Sequence, residues 1–236
     1  MKRRRWLLTA AALGLAASLG PAPAQKGRPA APAARDWTKT IVATPEGGFR
    51  MGNPNAALKL VEYGSLACSQ CADFSAEAMP ALLPQVRSGS LSFEYRSFIL
   101  NGPDLAATIL SRCSGPANYF RLNSQFFSAQ PQWMAKLQAL PKEESAKLAA
   151  LPREQQLQRV ATLAGFDTIA ARGGVAPARA KQCLSDPTAV ARLVQMNQQA
   201  AALGVTGTPS FLVNGKLAEG VHSWSALQPF LRRPGG

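Results

Sequence analysis

The chain has a single histidine, His222, and only four cysteines in 236 residues. That scarcity argues against a metal site. Structural zinc takes four nitrogen or sulfur ligands. Here one Cys-x-x-Cys pair, Cys68 and Cys71, has no second pair to complete it, and Cys113 and Cys183 stand alone and far apart. Acidic residues are also few, 13 against 26 basic ones, for a net charge of +13. The basic residues past position 5 are scattered, and none of their runs is interleaved with aromatics as a nucleic-acid site needs. No nucleic-acid partner is expected. Nor is there a long hydrophobic run. The apolar stretch from Trp6 to Gly20 falls short of the about 20 residues that span a bilayer. No internal repeat occurs.

What is present begins with an address. Lys2 to Arg5 form a positive n-region, Trp6 to Gly20 an apolar one, and Ala22-Pro23-Ala24 supplies small residues for cleavage. This pattern reads as a secretory signal peptide over residues 1–24, cleaved after Ala24. Arg3-Arg4 is a loose match to a twin-arginine signal, and the general secretory route is the expectation. Residues 25–36, rich in Pro and Ala, read as a flexible leader. Export places the chain in the periplasm or outside the cell, where cysteines read first as disulfides rather than as zinc ligands.

The remaining length suits one domain, or one domain carrying an insertion. "TKTIVA" (38–43) predicts a short edge strand, and "GGFRMGNPNA" (47–56) predicts turns. "LKLVEYGS" (58–65) is apolar and β-branched enough for a buried central strand. From Cys71, residues Phe74, Ala78, Leu82 and Val86 recur at helical spacing, with Pro80 expected to kink the helix. "LSFEYRSFI" (91–99) alternates as a strand. Residues 103–203 have few strand signals and read as a block of helices, with 131–152, which holds Pro131, Pro141 and Pro152, as helical turns broken by loops. Gly204 ends the last of these helices. "PSFLVNGKLAEG" (209–220) predicts a hairpin turning at Asn214-Gly215. A final helix, capped by Ser223 or Ser225, runs through Leu231. Tyr119, Phe120, Phe126 and Phe127 are expected in the core, and His222 at an exposed helix start.

This order, with Cys-x-x-Cys opening the first helix, resembles the thioredoxin fold. With its helical insertion the chain is similar to the DsbA family of secreted thiol–disulfide oxidoreductases. The resemblance rests on "LVEYGSLACSQC", on "GVTGTPSFLVNGK" (204–216) and on "GNPNA" (52–56), and it spans Trp37 to Leu231. It implies an α/β fold: a thioredoxin-like domain over 37–102 and 204–233, and a helical insertion over 103–203. It implies Cys68 as nucleophile, Cys71 as resolving cysteine and Glu62, six residues ahead of Cys68, as a buried acid. It also implies that Pro209 is a cis-proline whose neighbour Thr208 offers backbone to an extended substrate. Cys113 and Cys183 would form a second disulfide, as in alphaproteobacterial members; two buried free thiols are the alternative.

The chemistry fits these residue types. A thiolate at a helix N-terminus faces unpaired N–H groups and the positive end of the dipole. Both lower its pKa below the free value of about 8.5. No cofactor is needed, because the dithiol carries the electrons itself. The implied partners are exported client proteins with free thiols and a membrane reoxidant of DsbB type. The chain is expected to act as a monomer. Ser69-Gln70 stand where oxidases of the family often carry Pro-His or Pro-Tyr, and Thr208 stands where oxidases often carry Val. Donation of disulfides and their isomerisation or reduction therefore both stand. A third reading, from another class, is a non-catalytic protein holding a soft metal through Cys68 and Cys71.

Overall fold

The computed structural model describes residues 35–232. The expected signal peptide and most of the leader lie outside these residues. Six strands form one sheet: β1 (Ile41–Ala43), β2 (Phe49–Gly52), β3 (Leu58–Gly64), β4 (Leu91–Ser97), β5 (Ser210–Val213) and β6 (Lys216–Leu217). Their spatial order is β1-β2-β4-β3-β5-β6. Only β3 and β4 run parallel, with Leu60 opposite Phe93 and Glu62 opposite Tyr95. The crossover between them is α1 (Ser69–Ser88), as a parallel pair requires.

The apolar spacing of α1 explains its seat. Cys71, Phe74, Ala78, Leu82 and Val86 are its buried residues. Pro80 and Pro84 both lie inside the helix, which continues to Ser88. Pro80 therefore does not break it. Each proline removes a single main-chain donor, and the buried face packed on the sheet holds the helix. Gly89, at φ +84, lets the chain leave: its N–H reaches Val86 O and that of Ser90 reaches Gln85 O.

The segment expected to be turns contains a strand instead. Phe49 to Gly52 pairs with β1 on one side and β4 on the other. Phe49 and Met51 are buried, which is the alternation of a half-covered strand. Glycines flanking so short a run hid that pattern. The 131–152 stretch is also more regular than expected. It forms two nine-residue helices, α4 (Gln130–Gln138) and α5 (Lys142–Ala150), that start just before or just after a proline.

Eight helices separate β4 from β5. They are α2 (Gly102–Cys113), α3 (Pro116–Ser128), α4, α5, α6 (Arg153–Ala164), α7 (Phe166–Arg172), α8 (Pro177–Leu184) and α9 (Pro187–Ala202). Their core runs into that of the sheet: the Phe49 and Tyr119 rings stack with centroids 3.9 Å apart. Tyr119, Phe126 and Phe127 are buried, and Phe120 packs against the same core. Gly204, at φ +82, closes α9 with bonds from its own N–H to Ala201 O and from Val205 N–H to Ala200 O. The hairpin β5–β6 turns at Asn214 (φ 50) and Gly215 (φ 83), as a two-residue turn of that hand demands. The last helix, α10 (Trp224–Leu231), is capped by Ser223, whose hydroxyl accepts from Ala226 N. Among the described residues no helix is long and apolar enough to cross a membrane.

Candidate active site

Cys68 is the N-cap of α1, and its sulfur accepts from the Cys71 N–H at 3.3 Å. Cys71 lies one turn in and is fully buried, while Cys68 is half-buried. Both are free thiols. The Cys68 pKa is lowered to about 6. The largest cause is the Cys71 thiol donating to its sulfur. Thr208 and the N–H groups of Cys71 and Gln70 add to it, against the opposing effect of burial. As a thiol, Cys68 donates instead to Thr208 O at 3.3 Å. That contact favours the protonated form, and the donors aimed at the thiolate outweigh it. Burial first, and then its bond to Cys68 and the Glu62 charge, push the Cys71 thiol well above its usual range. The two sulfurs are thus divided into a ready nucleophile and a reluctant one.

Glu62 sits on β3, 2% exposed, and its Oε1 has no hydrogen-bond partner in the protein. Burial, with the Cys68 charge, raises its pKa well above the carboxylate range. Tyr95, opposite it on β4, is buried with an equally unpartnered hydroxyl. Gly64 makes room for both. A Cβ there would lie 2.6 Å from the Tyr95 ring and 2.8 Å from Glu62 Oε1. A cavity of about 250 Å³ between sheet, α1 and α3 reaches Glu62 and Tyr95 and is also lined by Ser75 and Asn123.

The Thr208-Pro209 bond is cis, and β5 begins at the next residue. The structure thus brings Cys68, Cys71, Glu62, Thr208 and Pro209 together. Cys113 and Cys183 do not join them. They form a disulfide with S–S 2.05 Å, tying the end of α2 to α8.

Three further residues at the site escaped the sequence reading. Asp104, in the first turn of α2, is fully buried. Its carboxylate accepts from Ser65 Oγ (2.6 Å), Leu66 N (2.9 Å), Leu100 N (2.9 Å) and Thr108 Oγ1 (3.3 Å). Burial still pushes its pKa up to about 6 against those donors. Gln130, also buried, donates through Nε2 to Leu66 O at 2.7 Å and Cys68 O at 3.0 Å. Together they clamp the loop that delivers Cys68. Asn101-Gly-Pro-Asp was legible as a helix start with a first-turn acid, but partners nearly forty residues away were not. The third is His222, which is exposed as expected but donates through Nδ1 to Pro209 O at 2.7 Å. Among the described residues no group of three or more His, Cys, Asp or Glu comes together to hold a metal.

A mixed sheet with a Cys-x-x-Cys pair at a helix start and a block of helices between β4 and β5 defines a thioredoxin-like fold with an inserted helical part. The profile of the thioredoxin family matches residues 44–233, and the chain belongs to that family. A Rickettsia bellii relative named a protein-disulfide oxidoreductase is 30% identical over 177 residues, covering 74% of this chain and 60% of its own length. The chain thus spans about 60% of the length of the first curated relatives it matches. A protein-disulfide isomerase from Novosphingobium aromaticivorans aligns over 78% of this chain and 95% of its own, at 28% identity and TM-score 0.74. The α-DsbA1 of Wolbachia pipientis covers 77% and 87% at 21% identity and TM-score 0.61, and shares the fold.

Proposed function

We propose that this protein is a thiol:disulfide oxidoreductase that donates disulfides to exported proteins in the periplasm. The observation that carries the reading is the half-buried Cys68 sulfur at the start of α1, beside Thr208 and accepting from the N–H of the fully buried Cys71, with its pKa lowered to about 6. In the oxidised enzyme a client thiolate attacks Cys68 Sγ. The Cys68–Cys71 bond breaks, and Cys71 leaves with the electron pair. Glu62 protonates it, because a carboxyl held neutral by burial is a proton donor to a sulfur that resists ionisation. A second client thiolate then attacks the client sulfur of the mixed disulfide, and Cys68 leaves as a stable thiolate. The client has lost two electrons and the enzyme dithiol has gained them. The client backbone pairs along Thr208 in the manner of strand addition. A quinone-linked membrane partner of DsbB type reoxidises the dithiol, and the enzyme works as a monomer. Support for the compartment is the amino-terminal sequence pattern alone.

The test is transfer from the oxidised protein to a reduced, unfolded dithiol client. Stoichiometric client oxidation is expected, with none from Cys68→Ser; transfer that persists in Cys68→Ser would refute the assignment. A second reading, isomerisation, is favoured by the Novosphingobium relative's name. The reduction potential separates the two: a value well above thioredoxin's, about −270 mV, supports donation.

A further inference from the structure

A second cavity, of about 340 Å³, lies among the end of α2, α8, the start of α9 and β2. It shares no lining residue with the Cys68 site. Three guanidinium groups line it, those of Arg112, Arg179 and Arg192, against one carboxylate, Asp186. None of the three arginines forms an ion pair among the described residues, and Asp186 caps α9 by accepting from Thr188 N at 2.8 Å. Arg179 is oriented by donating to Gln182 Oε1 at 2.8 Å.

Arg112 is the anomaly. Its guanidinium carbon lies 4.9 Å from the Phe49 ring centre, and its Nη1 is buried with no acceptor in the protein. Burial, with the nearby Arg192, lowers its pKa from the usual arginine value. A guanidinium does not solve such a problem by losing its proton. A buried donor without an acceptor costs free energy, more so when charged. Arg112 lines the cavity together with Arg179 and Arg192, and an oxyanion entering it would supply acceptors to all three. Planar forks of this kind bind carboxylate and phosphate oxygens two at a time.

The floor says more. Phe49 and Ile109 are both buried there and line an apolar base. The volume falls within the range of small-molecule pockets, roughly 300–1,000 Å³, and far exceeds an inorganic ion. We infer that this cavity binds a small organic phosphate, with its phosphoryl group on Arg112, Arg179 and Arg192 and its apolar part on Phe49 and Ile109. Three cations against one acid leave an excess charge of two, which matches a phosphate monoester dianion. The Cys113–Cys183 bridge forms one wall. It joins α2 beside Arg112 to α8 four residues past Arg179, so it sets the spacing of two of the forks.

The probe is phenyl phosphate, titrated calorimetrically into the full-length protein at low ionic strength, with inorganic phosphate and phenol as comparators. Phenyl phosphate should bind at one equivalent, inorganic phosphate several-fold more weakly, and phenol not at all. The pair Arg112→Gln and Arg192→Gln should weaken phenyl phosphate by about tenfold or more, the worth of a charged hydrogen bond. Circular dichroism melting of that variant checks that it folds, and Arg192→Gln alone, at the rim, should give a smaller loss in the same direction. The proposal is overturned if phenyl phosphate fails to bind at about 10 mM. It is equally overturned if the folded double variant binds it unchanged, or if inorganic phosphate binds as tightly.

Discussion

The reactivity of Cys68 is set by the groups that donate to its sulfur. Its thiolate fraction is set by a pKa of about 6, so alkylation should rise with pH, reach half its maximum near 6 and level off above 7. In Cys71→Ala the largest stabilising donor is gone while the main-chain N–H stays, and the midpoint should move up. An unchanged midpoint in an iodoacetamide rate profile would show that the helix terminus acts alone. Glu62 makes the complementary case. A buried carboxyl without a partner destabilises the fold. Glu62→Leu should raise stability by about 1–3 kcal/mol while slowing dithiol exchange. The pH sign follows from its raised pKa. Stability from this group is full below the unfolded value of about 4.3 and is lost as pH rises toward the higher folded value. The gain in Glu62→Leu, read by urea unfolding, should therefore be larger at pH 8 than at pH 4.

At the scale of elements, the helices between β4 and β5 hold the loop that carries Cys68. Asp104 on α2 and Gln130 on α4 hydrogen-bond to residues 65–68. In Asp104→Asn one oxygen becomes an amide nitrogen. Either orientation then faces a backbone N–H, of Leu66 or of Leu100, donor to donor. The cost should be about 1–3 kcal/mol by thermal unfolding. This clamp is what the sequence could not disclose. Period-four apolar spacing revealed α1, and Asn214-Gly215 revealed the β5–β6 turn, because each signal is local. The strand β2 hid behind flanking glycines, since its identity lies in pairing with β4 rather than in its own four residues. Cys68, Cys71 and Pro209 were legible as a motif and a loop, whereas the side chains that position them come from helices whose sequence reads only as helix.

For the whole molecule, the question is what the Cys113–Cys183 disulfide does for the free thiols of Cys68 and Cys71. Cys113 and Cys183 are separated by 70 residues, all within the block of helices. Closing a loop of that length removes unfolded-state entropy worth on the order of 4 kcal/mol. The bridge touches neither Cys68 nor its donors, and the clamp on residues 65–68 comes from the far end of α2 and from α4. Removing it should thus loosen the helices without retuning the thiolate. The variant Cys113→Ser with Cys183→Ser should lose about 2–4 kcal/mol in denaturant unfolding. Its Cys68 alkylation profile should keep a midpoint near 6. A midpoint displaced along with the stability would mean that α2 transmits the state of the bridge to Asp104, and that the two ends of the helix do not act independently.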